Sequence, residues 1–88
     1  MDTVTNVLLI TSNRGLEGGI RELTANEGYD TYTWKWDGVI QTEYTNKNVF
    51  ITPVAVIDGE YTVTLLVSKT EDGVTKYYSE TIRVTREQ

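Results

Sequence analysis

The chain has 88 residues, no cysteine and no histidine, and its 13 acidic and 8 basic residues give a net charge of −5 at pH 7. A chain of this length forms one domain, and its composition excludes disulfides and thiolate metal sites and removes the commonest general base. The acidic balance and scattered basic residues argue against binding to nucleic acid, because phosphate recognition needs a basic patch. No run of about 18 apolar residues is present, so no membrane insertion is expected.

The first half of the chain alternates strand-like runs with turn residues. The predicted strands are residues 4–11, 20–26, 31–36 and 39–42, and the predicted loops are 12–15, 18–19 and 37–38. A helix over 16–25 is the competing prediction, and Gly18 and Gly19 disfavour it by about 1 kcal/mol each. The run 31–36 is the clearest strand, since period-2 alternation places Tyr32, Trp34 and Trp36 on one face.

The second half continues the same pattern. The predicted strands are residues 49–52, 61–68 and 76–85, and the predicted turns are 46–48, 58–59 and 71–73. Pro53 suits a strand end or an edge. Strand 76–85 places Tyr78, Ile82 and Val84 on one face. Short strands separated by turns about 8–12 residues apart predict an all-β sandwich or barrel.

Three features occur in the order that immunoglobulin-like sandwiches show, and the chain resembles that fold through them. Trp34 lies at the centre of an aromatic strand, Tyr61 begins an alternating strand after a turn, and a hairpin through 72–73 leads to the last strand. In that fold, a tryptophan on the third strand fills the gap between the sheets. A tyrosine at the start of the penultimate strand fixes the preceding corner of the chain through its hydroxyl group. The resemblance implies an all-β immunoglobulin-like β-sandwich of about seven antiparallel strands, with Greek-key connections and no disulfide. The expected core residues are Trp34, Tyr61, Val63, Leu65 and Leu23.

Individual segments resemble particular groups of Ig-like domains. Residues 32–38 and 61–67 resemble PKD and related bacterial or phage Ig-like domains, although only Asp37-Gly38 remains of the longer PKD turn. Over residues 20–85 the chain is similar to the Ig-like domains of tailed-phage capsid decoration proteins. Residues 23–26 precede the Tyr-x-Trp strand at a similar distance, and residues 48–50 begin the fifth strand in a similar way.

The resemblance implies a non-catalytic module that projects from the virion surface and is assembled in the host cytoplasm, where disulfides are not expected. Residues 1–88 are then a single Ig-like domain excised from a longer protein. A separate domain of that protein binds the capsid. The implied partners are bacterial surface glycans or the envelope, bound weakly, with no cofactor and with the isolated domain a monomer. The alternative is an extracellular spacer or carbohydrate-associated Ig/PKD-like module of a secreted bacterial enzyme or adhesin. A small hydrolase is the third hypothesis.

The candidate recognition residues are aromatic side chains near strand ends and loops: Trp36, Tyr29, Tyr44 and Tyr77. Exposed tyrosines supply rigid contact area to recognition surfaces. Packing in the core is the competing interpretation of Trp36, and it is the favoured one for Trp34. No catalytic, cofactor-binding or metal-binding residues are predicted. Four acidic residues are interpreted as turn formers and solvating charges, because their spacing does not fit a dedicated calcium loop: Asp58, Glu60, Glu71 and Asp72.

Overall fold

The computed structural model describes residues 4–17, 20–53 and 59–86, which form eight strands and no α-helix. The strands are β1 (Val4–Asn6), β2 (Ile10–Gly15), β3 (Arg21–Ala25), β4 (Thr31–Trp36), β5 (Val39–Ile40), β6 (Val49–Ile51), β7 (Gly59–Glu71) and β8 (Val74–Arg86). A short 3-10 helix, Thr42–Tyr44, follows β5. The predicted all-β class is therefore confirmed. The competing helix over 16–25 is not formed, since Arg21–Ala25 is a strand with Leu23 and Ala25 buried on one face.

The strands form two sheets. One has five strands in the order β1-β8-β7-β4-β5, and the other has three in the order β2-β3-β6. Every pairing among these strands is antiparallel except that of β1 with β8, which is parallel, with Val4 opposite Tyr77. The expectation of antiparallel strands throughout is corrected at this one pair.

The predicted strand over residues 4–11 is divided in two because the chain changes sheets within it. After β1, the backbone N–H of Val7 still donates to the carbonyl oxygen of Ser79 at 3.0 Å. The chain then crosses over, and β2 pairs with β3 as far as Gly15. The predicted loop at 12–15 is therefore part of a strand, and the described residues contain eight strands where about seven were expected.

The last two strands are longer than their sequence pattern predicted. β7 and β8 have 13 residues each and pair along their whole length. The turn between them has positive φ angles at Asp72 (51°) and Gly73 (77°). These angles belong to the two-residue hairpin turn that Asp-Gly favours, because its twist matches that of the flanking strands. Of the predicted turn at 58–59, Asp58 lies outside the described residues.

Trp34 lies at the centre of the core between the two sheets. It is fully buried, and its ring stacks on Phe50 of β6 with the centroids 5.4 Å apart. Its indole Nε1 donates a hydrogen bond to the carbonyl oxygen of Lys47 at 2.7 Å, so the one polar atom of the side chain is paired. Burying a large apolar side chain is worth about 1.5–3 kcal/mol. The remaining fully buried large side chains are Leu9, Leu23, Phe50, Val63, Leu65 and Val67.

Candidate recognition surfaces

Trp36 is enclosed by other aromatic rings. It is 8% exposed, its ring stacks on Tyr61 with centroids 4.7 Å apart, and Phe50 lies 6.3 Å away. The expectation that Trp36 offers a surface for a ligand is therefore corrected. Trp36 ends β4, but it still pairs with Val63 of β7 and lies on the inward face. The core therefore extends to the last residue of β4.

The three candidate tyrosines lie at three separate places. Tyr29 is half-buried at one end of the sandwich, where its ring meets Tyr32 edge-on at 6.0 Å and Tyr78 at 5.9 Å. Tyr44 belongs to the 3-10 helix and meets Phe50 edge-on at 5.0 Å. Tyr77 lies on the outer face of the five-stranded sheet, opposite Ser68. The structure therefore does not bring these residues together into one site.

The surroundings of Tyr77 form a polar surface that the sequence reasoning did not identify. Side chains that are neighbours across paired strands share a face of the sheet, so the strand register defines the outer face of β4, β7 and β8. Hydroxyl groups occupy most of its positions, and we call this surface the hydroxyl face. Its hydroxyl residues are Thr31, Thr33, Thr62, Thr64, Ser68, Thr70, Thr75, Ser79, Thr81 and Thr85. The signal was present in the sequence as alternate threonines on the faces opposite to the predicted core.

Hydroxyl groups on this face are paired with one another across strands. The hydroxyl oxygens of Thr31 and Ser68 lie 2.5 Å apart, and Ser68 is buried. Two further pairs repeat this arrangement, Thr64 with Thr81 at 3.1 Å and Thr70 with Thr75 at 2.8 Å. Such cross-strand pairs contribute about 0.2–1 kcal/mol each. They also hold the hydroxyl groups in defined rotamers.

The hydroxyl face carries little charge. By register it holds one carboxylate in the described part of the chain, Glu60, whose Oε1 lies 3.2 Å from Nη1 of Arg83 on the same face. Lys35 is the other cation that the register places there. Since the whole chain has a net charge of −5, the acidic residues are concentrated on other surfaces.

A second candidate surface is a groove lined by residues of the edge strands β5 and β6 and of the segments that follow them. Ile40 is 52% exposed and Ile51 37% exposed, and both line the groove together with Tyr44. We call this the edge groove. Its lining residues are Ile40, Gln41, Thr42, Glu43, Tyr44, Ile51, Thr52 and Pro53. Both of its strands lie at sheet edges among the described residues, so the groove is open along its length.

Of the acidic residues considered for calcium, Glu60 is far from Glu71 and Asp72, which are neighbours in the chain. Glu60 lies near the start of β7 and Glu71 at its end, about 36 Å away along an extended strand, and Asp58 lies outside the described residues. Within residues 4–17, 20–53 and 59–86, no three His, Cys, Asp or Glu side chains converge as metal ligands. The same residues include no helix long and apolar enough to cross a membrane.

Comparison with known proteins finds no matching family model, no matching curated protein and no matching solved structure. The function is therefore inferred from the residues of this chain and their arrangement.

Proposed function

We propose that this chain is a non-catalytic, immunoglobulin-like module that projects from a phage virion as part of a capsid decoration protein. The module displays an exposed surface and attaches weakly to glycans of the bacterial envelope or the environment. A separate part of the parent protein holds the capsid.

The distribution of strands between the sheets carries this proposal. In immunoglobulin-like sandwiches the second and fifth strands, B and E, share one sheet, while C, F and G share the other. Here β3 and β6 share one sheet, and β4, β7 and β8 share the other. Trp34 on β4 then corresponds to the core tryptophan of strand C, and β5 to the additional strand C′ of variable-type domains. This correspondence supports the immunoglobulin-like interpretation.

The surface chemistry supports attachment in preference to catalysis. The edge groove and the hydroxyl face are both open to solvent, and neither holds a set of converging acidic groups in the described part of the chain. An open surface offers a ligand little enclosure, so weak binding is expected, because association costs translational and conformational freedom. The net charge of −5 favours solubility and disfavours nonspecific adhesion to anionic envelopes.

Deleting residues 1–88 from the parent protein tests this proposal. We expect particle assembly and particle stability to be unchanged and attachment to host cells to fall modestly. A second particle, in which a Gly/Ser linker of equal length replaces the module, controls for the lost length. Failure of particles to form, or tight binding of the isolated 88 residues to the capsid, would show a structural clamp instead. A parent protein with a secretion signal and a glycosidase domain would favour the spacer alternative.

A further inference from the structure

We infer that the hydroxyl face is a binding surface for a neutral glycan, with Leu66 and Tyr77 as the apolar platform on which a sugar ring rests. This inference rests on the proposed attachment role and names the ligand class and the surface.

The platform follows from the register of β7 and β8. Leu66 lies opposite Ser79, and Tyr77 lies opposite Ser68. Tyr77 and Leu66 are therefore diagonal neighbours on the outer face, within reach of each other's side chains. Both are partly exposed. A pyranose ring has an apolar C–H face that packs on apolar and aromatic side chains, and a tyrosine supplies this area with few rotatable bonds.

Hydroxyl groups border Leu66 on both sides, while the exposed Val4 of β1 lies opposite Tyr77. Thr33 of β4 and Thr64 of β7 lie on one side, and Ser79 and Thr81 of β8 lie on the other. Each hydroxyl donates one hydrogen bond and accepts up to two, which matches the mixed donors and acceptors of sugar hydroxyls. The Thr64–Thr81 pair at 3.1 Å still leaves acceptor capacity for a ligand. Threonine is also stiff at χ1, so ordering these side chains costs little entropy.

The charged groups around the platform and the net charge of the chain favour a neutral ligand over an acidic one. Around the platform the charged groups are Lys35, on a neighbouring position of β4, the mutually bonded pair Arg83 and Glu60 toward the start of β7, and the Asp30 carboxylate, which accepts the backbone N–H of Thr70 at 2.6 Å. A neutral glycan covers this area without desolvating an unpaired carboxylate, which would be costly. An acidic glycan would meet a chain of net charge −5, and among the described residues Lys35 is the cation on this face outside the Arg83–Glu60 pair that could offset the repulsion.

The experiment follows backbone amide shifts of the isotope-labelled 88-residue chain by NMR during titration with maltohexaose, cellohexaose and an oligogalacturonate. We expect at least one neutral hexasaccharide to bind with millimolar affinity and to shift amides around Leu66, Tyr77 and Ser79. The oligogalacturonate is expected to cause no saturable shifts. No saturable binding of either neutral probe overturns the inference, as do shifts centred on the edge groove. Shifts on dilution without ligand, centred on the hydroxyl face, would assign the face to a second copy of the chain and also overturn it.

Point variants distinguish the loss of the binding platform from the loss of the fold. Tyr77→Ala is expected to weaken binding by about threefold to tenfold, whereas Tyr77→Phe keeps the ring and stays within about twofold of the parent. Thr64→Glu adds a carboxylate to the face and is expected to weaken binding, while Thr24→Glu on the outer face of the three-stranded sheet is the matched control. Equal affinity of all four variants overturns the inference, and thermal melting checks that each is folded.

Adsorption of the same variants to host cells distinguishes the two proposals. If the chain adsorbs and Tyr77→Ala and Thr64→Glu adsorb equally well, the attachment role stands and the hydroxyl face is not its surface. If the unmodified chain does not adsorb but binds a neutral hexasaccharide through this face, the glycan site stands and the attachment role fails.

Discussion

Glu80 and Ile10 are 70 positions apart in the chain, and the Glu80 carboxylate accepts the backbone N–H of Ile10 at 2.7 Å. The same oxygen, Oε1, accepts the N–H of Leu9 at 2.9 Å. These two donors lie where the chain leaves the five-stranded sheet and enters the three-stranded one. A side chain of β8 thus takes the place of a strand partner for the backbone of the crossover.

Removing this carboxylate should destabilise the crossover. Glu80→Ala is expected to lower the free energy of unfolding by about 2–3 kcal/mol, because hydrogen bonds to a charged acceptor are strong and two N–H groups lose their partner. Glu80→Gln keeps an acceptor oxygen and should lose less. Urea denaturation of the two variants measures the difference. Losses that are equal and below about 0.5 kcal/mol would show that water replaces the carboxylate without cost.

Replacing Trp34 should destabilise the protein more than replacing Trp36, because the indole N–H of Trp34 is hydrogen-bonded in the core. Trp34→Ala is expected to cost about 3–5 kcal/mol, since it empties the centre of the core. It also leaves the Lys47 carbonyl oxygen without the indole N–H that now lies 2.7 Å away. Trp36→Ala removes a ring that is 8% exposed and should cost about 1 kcal/mol less. Denaturant melts of both variants decide this, and a larger loss for Trp36→Ala would contradict the prediction.

The hairpin turn should be sensitive to glycine replacement. Gly73 has a φ of 77°, a left-handed conformation that costs an L-residue about 1–2 kcal/mol. Gly73→Ala is therefore expected to lower stability by about 1 kcal/mol. Asp72→Asn is the matched control and should be neutral, because asparagine is equally favoured before glycine in this turn. Thermal unfolding of the two variants tests the prediction, which is contradicted if Gly73→Ala is as stable as the parent.

Stability should be independent of calcium and of chelators. Glu60 and Glu71 lie near opposite ends of β7, so they cannot share one ion. The melting temperature is expected to be the same in EDTA and in millimolar CaCl₂. A rise of several degrees with calcium would contradict this expectation, because a ligand that binds only the folded state must stabilise it.

Several elements were predictable from the sequence because their signals are local. Period-2 alternation placed Tyr32 and Trp34 on the inward face of β4, and Val63 and Leu65 on the inward face of β7. The Asp72-Gly73 turn was predictable for the same reason, since its conformation depends on the two residues that form it. Alternation states which side chains share a face, and it does so without reference to the rest of the chain.

Other features were decided by tertiary structure because they depend on which strands become neighbours. Where the first predicted strand splits, the backbone N–H groups of Leu9 and Ile10 are bound by Glu80, which lies near the far end of the chain. Trp36 is buried, with Tyr61 stacked on it, whereas its position near a strand end left both exposure and core packing open. The hydroxyl face exists because the register of β4, β7 and β8 aligns their outward threonines. Each strand's pattern specifies its faces, but partner and register are chosen by the burial of the whole core.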